Sequence, residues 1–183
     1  MSGDSKELEG AMKQSEWLIR RLKQKEKFRD NCQVKKTILS GSVARGTCIR
    51  PLHDIDMIAI MGQAVPESYF YDILRGLSIG ASSVERVENE EKEGKVCYHI
   101  IFDSPIEGVT EMTIRKQEVS LGVCFGFPWS DKGATFDIVP ASRDEEGNLH
   151  LRSPKAKQQD VATNPPKVKE AIEKCDIETN GER

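Results

Sequence analysis

The chain has no apolar run near the roughly 18 residues of a membrane-spanning helix, no C-x-x-C, no net positive charge and no internal repeat. Each absence excludes something. A helical membrane span is ruled out, and the N-terminal MSGDSKELEG has no apolar stretch of the kind a secretory signal carries. Five widely spaced cysteines (Cys32, Cys48, Cys97, Cys124, Cys175) are an odd number without metal-ligand spacing. That argues against a disulfide framework and a structural zinc, and for free thiols in a reducing, cytoplasmic setting. A formal charge of -3 gives no basic field over the whole chain, so polyanion binding is not the default.

What is present is enough for one domain with a proper core: 183 residues, 37% of them hydrophobic and 31% charged. Residues 5–28 read as an amphipathic helix, with Leu8, Met12, Leu18, Ile19 and Leu22 as its stripe. The basic cluster from Arg20 to Arg29 reads as the solvated face of that helix. A short β-rich run, Val34 to Ser40, leads into Gly41. A nearly continuous apolar strand follows over Ile55 to Met61, and a helix opens at Pro66 and closes at Gly80. The charged stretch Val84 to Lys95 is compatible with weak β alternation and equally with a solvated excursion. Val96 to Phe102 reads as a strand, Ile114 to Phe127 contains another, and ATFDIVPA is a strand stopped by Pro140. Beyond it the chain reads as loop until a short helix after Pro166. The expectation is an α+β fold, a small mixed β-sheet with flanking helices. Residues 1–30 form an N-terminal helix packing on the core, 31–150 the core itself, and 151–183 a linker and the start of a helical region.

The most informative stretch is LSGSVARGTCIRPLHDIDMIAIM, Leu39 to Met61. Side chains alternate along a strand, so Asp54 and Asp56 point one way while Ile55 and Met57 point the other. Like charges side by side are costly unless a cation sits between them. The pair therefore reads as half of a divalent-metal site, which Asp137 in ATFDIVPAS would complete. Magnesium prefers oxygen ligands and keeps waters and substrate phosphates in its shell, so two or three protein carboxylates suffice; manganese is an alternative. Gly41 admits close approach of phosphates to backbone amides, and the Ser42 hydroxyl would bind their oxygens. Asp54, Asp56 and Asp137 are thus the expected metal ligands and catalytic residues, with Asp137 on the ion that activates an incoming hydroxyl.

Together GSVARGT, RPLHDIDM and DIVPA resemble the DNA polymerase β-type nucleotidyltransferase superfamily. They resemble in particular the branch holding archaeal CCA-adding enzymes, oligoadenylate synthetases and cGAS-like bacterial cyclic-oligonucleotide synthases. GNLHL and TNPPKVKE resemble the segment that leads into the helical domain of the bacterial enzymes. The resemblance runs approximately from Trp17 to Ile172. It implies a nucleotidyltransferase core, Mg2+, a nucleoside triphosphate such as ATP as donor, and a nucleotide or nucleic acid hydroxyl as acceptor. A cyclic or linear oligonucleotide signal in antiviral defence would be the product. His53 stands where the branch usually carries a small polar residue. The C-terminal helical domain is expected to be largely absent: the chain is either a fragment, a minimal protein that borrows that lobe from a partner chain, or one that no longer turns over. Alternatives are a tRNA-terminus or other small-acceptor nucleotidyltransferase, and a non-catalytic nucleotide-binding or antitoxin-like module.

Overall fold

A computed structural model describes residues 3–24, 33–41, 54–61, 64–65, 67–88, 96–117, 120–126, 134–151 and 161–163. Helix α1 spans Gly3–Leu22, β1 Lys36–Leu39, β2 Asp54–Ile60 and helix α2 Tyr69–Leu77. Then come β3 Ser83–Glu88, β4 Val96–Ile106, β5 Val109–Lys116 and β6 Leu121–Cys124. Strands β7 Thr135–Arg143, β8 Leu149–Leu151 and β9 Val161–Thr163 complete the described elements.

The nine strands make one sheet in the order β1-β2-β7-β6-β5-β4-β3, with β8 on β7 and β9 on β8. From β3 to β7 consecutive strands pair antiparallel, as do β1 and β2. Only β2 and β7, among the described strands, lie parallel. The expected mixed sheet with flanking helices is what the chain forms.

Both helices cover one face. Trp17, Leu18 and Leu22 of α1, with Phe70, Ile73 and Leu77 of α2, join Met57, Ile100, Met112, Ile114, Leu121, Phe136 and Ile138 in a single buried cluster. The Trp17 ring meets Phe125 edge-on at 5.7 Å, and its indole N–H donates to the Ile106 carbonyl at 2.9 Å, so the ring is buried without an orphaned donor. Arg21, 4% exposed, ties the helices together. Its guanidinium lies 5.3 Å from the Trp17 ring centre and donates to the carbonyls of Leu77 and Ile79 at the end of α2. Those carbonyls would otherwise face the core unpaired. Burial pushes the Arg21 pKa down. On the opposite face, Ile58, Ile60, Ala141 and Leu149 form a smaller cluster with Ile38 and Leu151.

One open alternative is resolved and three details depart from the sequence reading. The charged stretch begins as a strand, β3, whose residues are mostly exposed on an edge where no apolar alternation is required. The segment expected to hold one strand contributes two, the arms of the β5–β6 hairpin. Pro140 does not stop β7, which continues to Arg143. The Ala141 carbonyl accepts from Met61 N–H, so backbone alternation turns Pro140 away from β2, and the β6 pairing has already ended at Ile138. A missing N–H costs little where it faces no ladder. Finally, the region expected as loop carries β8 and β9. The β7–β8 turn is built on Asp144, which accepts from Asn148 N–H at 2.7 Å and contacts His150 Nε2 at 2.7 Å. The hydrogen bond to His150, then those from Asn148, hold the Asp144 pKa at about 2. The helix expected after Pro166 lies outside the described residues. Among the described residues no helix is long and apolar enough to cross a membrane.

Candidate active site

The site begins where β1 ends. Leu39 pairs with Met57, and the next backbone amide, Ser40 N–H, donates to the Asp56 carbonyl at 2.8 Å. The chain then turns at Gly41 with φ +68°. A side chain there is excluded twice. The conformation disfavours one, and a β-carbon would sit 3.0 Å from Asp56 Cγ and nearer still to Oδ2. Gly41 is therefore the residue that lets the Asp56 carboxylate lie against the backbone of the preceding turn. Ser42, expected as its partner in a phosphate cradle, lies outside the described residues, as does His53.

The second step is the parallel pairing of β2 with β7. Asp54 stands opposite Thr135 and Asp56 opposite Asp137. Register partners share a sheet face, and the alternate residues Ile55, Met57, Phe136 and Ile138 point to the helices, where they are 0–3% exposed. Asp56 and Asp137 thus stand side by side on the other face, half-buried. Asp54 opens β2 two residues before Asp56, and its side chain lies outside the described residues. Among the described residues, no group of three or more His, Cys, Asp or Glu is gathered to hold a metal. Of the three predicted acids, the fold brings Asp56 and Asp137 together.

The same register row continues from Asp137 to Gly122 on β6 and Arg115 on β5. Beside it, the β5–β6 hairpin delivers a residue that sequence reasoning missed. Gln117 Nε2 donates to Asp137 Oδ1 at 2.9 Å, and Ser120 Oγ donates to Gln117 Oε1 at 2.6 Å. The hairpin is closed by Gln117 N–H donating to the Ser120 carbonyl at 3.0 Å. Nothing in a Q-x-x-S spacing announces this; only the register across three strands does.

Two adjacent carboxylates with hard oxygen donors fit a divalent cation of the magnesium type, and their mutual repulsion is relieved by one. The Asp56 carboxylate of that donor set lies close against Gly41.

No family model matches the chain, and no curated protein matches it by sequence. Solved structures do match by fold. The structure of Escherichia coli MS115-1 CdnC with ATP aligns with TM-score 0.54 and 21% identity, over 90% of this chain and 44% of that one. The complex of CdnC with HORMA-deltaN aligns with TM-score 0.55 and 20% identity, over 91% of this chain and 44% of that one. The Bradyrhizobium diazoefficiens CD-NTase CdnG in complex with GTP gives TM-score 0.51 and 17% identity, over 87% and 39%. The chain therefore has the fold seen in CdnC and CdnG. It spans less than half the length of these proteins.

Proposed function

We propose that this chain carries the catalytic core of a metal-dependent nucleotidyltransferase that moves a nucleoside monophosphate from a nucleoside triphosphate to a hydroxyl acceptor. The observation that carries the reading is the in-register pair Asp56 and Asp137, seated beside Gly41 in a fold shared with CdnC and CdnG. Those two proteins were solved with ATP and with GTP respectively, which supports a purine nucleoside triphosphate as donor here. Within this reading the product is a cyclic or linear oligonucleotide signal, and the context is antiviral defence in the cytoplasm. Cys97 and Cys124 are buried thiols, in keeping with that compartment. A protein partner belongs to this reading, supported by the complex of CdnC, a chain of this fold, with HORMA-deltaN.

Asp54, Asp56 and Asp137 would hold Mg2+ or Mn2+. When bound, the ion supplies charge neutralisation for the leaving pyrophosphate and acidifies the attacking hydroxyl. Asp56, for which Gly41 leaves room, orients the triphosphate side of the site. Ser42 binds phosphate oxygens. Asp137 faces the acceptor and takes the proton of its hydroxyl.

Incubation of the chain with labelled nucleoside triphosphates and Mg2+ or Mn2+ tests this, with the Asp54→Ala/Asp56→Ala double variant in parallel. Metal-dependent product that disappears in the variant is the expected result. Equal product from both proteins would remove the acids from the chemistry and the reading with them. Nucleotide binding without product would move the chain to the class of binding modules.

A further inference from the structure

We infer that Gln117 is the positioning residue for Asp137, an inference that rests on the metal-site reading above. An ionised carboxylate only accepts hydrogen bonds, so the Gln117 amide must offer it nitrogen. An amide side chain can rotate end for end and present oxygen instead. Ser120 prevents this. Its hydroxyl, on a residue 3% exposed, donates to Gln117 Oε1 and fixes the orientation in which Nε2 meets Asp137 Oδ1 at 2.9 Å. The backbone bond from Gln117 N–H to the Ser120 carbonyl anchors both ends of this arrangement to the β5–β6 hairpin.

Reaching Asp137 from β5 requires crossing β6. On the acid-bearing face that strand carries Gly122 opposite both Asp137 and Arg115, and no side chain stands between them. The small residues Ser120 and Gly122 make the trough through which the amide passes. The result is a carboxylate whose rotation about χ2 is arrested. The amide thereby orients the carboxylate that would hold the ion. An outer-shell partner of this kind typically accounts for 10–100-fold in metal affinity.

Binding of Mn2+ by the full chain, with a non-hydrolysable ATP analogue present, reads this directly by electron paramagnetic resonance. The variants are Gln117→Leu, Ser120→Ala and Asp137→Asn. The inference expects Mn2+ binding by the wild type, its loss in Asp137→Asn, weakening by about tenfold or more in Gln117→Leu, and a smaller loss in Ser120→Ala. Unchanged binding in both hairpin variants, with Asp137→Asn still losing the ion, overturns the role of Gln117 and leaves the site intact. No Mn2+ binding by the wild type overturns the metal-site reading and this inference together. Should Gln117→Leu fail to fold, by circular dichroism, Ser120→Ala decides alone, since it deletes one hydroxyl.

Discussion

Gly41 presents its α-carbon to the carboxylate of Asp56 so closely that no side chain fits between them. The turn after β1 and the acid of β2 are in this sense one unit. The Gly41→Ala variant should lose about 1–3 kcal/mol of stability, from the left-handed conformation and from displacement of the Asp56 carboxylate. Nucleotidyl transfer should fall further than stability does. Urea unfolding together with a product assay at a temperature where the variant is folded separates the two effects. Wild-type stability in Gly41→Ala would show that the turn can relax away from Asp56.

Side-by-side carboxylates repel when no cation is present. Asp137→Asn should therefore raise or preserve the melting temperature without metal, while cutting transfer by 100-fold or more, the scale on which loss of a metal-held or general-base carboxylate acts (roughly 10²–10⁴). Addition of Mg2+ and a non-hydrolysable triphosphate should stabilise the wild type and fail to stabilise the variant. Thermal melts with and without the ion check both halves.

Arg21 links α1 to the end of α2, and its loss leaves the Leu77 and Ile79 carbonyls short of a charged donor in a buried place. The Arg21→Ala variant should be destabilised by about 2–4 kcal/mol, the range for a hydrogen bond to a charged group plus stranded acceptors. Its effect on transfer should follow unfolding alone. A shifted urea midpoint with an unchanged slope is the expected signature.

The Asp144 turn sets an acid limit. Its folded pKa, about 2, lies below the ordinary 3.8, so the stability it contributes is fully present above pH 3.8 and is lost as pH falls through about 2. The urea midpoint of the wild type should exceed that of Asp144→Asn at pH 4 and above. That margin should then shrink toward zero as pH 2 is approached. A margin that persists at pH 2 would mean the carboxylate is not the source of the turn's stability.

The parts of the fold that were readable in the sequence are those where burial imposes a pattern. The strand after Asp54 is continuously apolar because it lies centrally between β1 and β7, and α2 shows its face because seven of its nine residues are buried. Edge and hairpin elements left weaker marks. In β3 the residues are solvated, so composition reads as charge rather than as strand, and β8 and β9 are only three residues each. The acids were legible because their spacing within a strand and the apolar run behind them are local. That Asp56 and Asp137 fall in one register row is a long-range fact, foreseen from motif resemblance and not from periodicity. Gln117 was invisible for the same reason, since its partner is two strands away.

The sole parallel junction among the described strands has a temporal consequence. Joining Asp56 to Asp137 closes the longest excursion between any two paired strands, after the β3–β6 meander has been made from short-range hairpins. Such a closure carries the largest loop-entropy cost and belongs late in assembly. A nascent chain on the ribosome would therefore carry Asp56 without its register partner Asp137 until β7 emerges and docks.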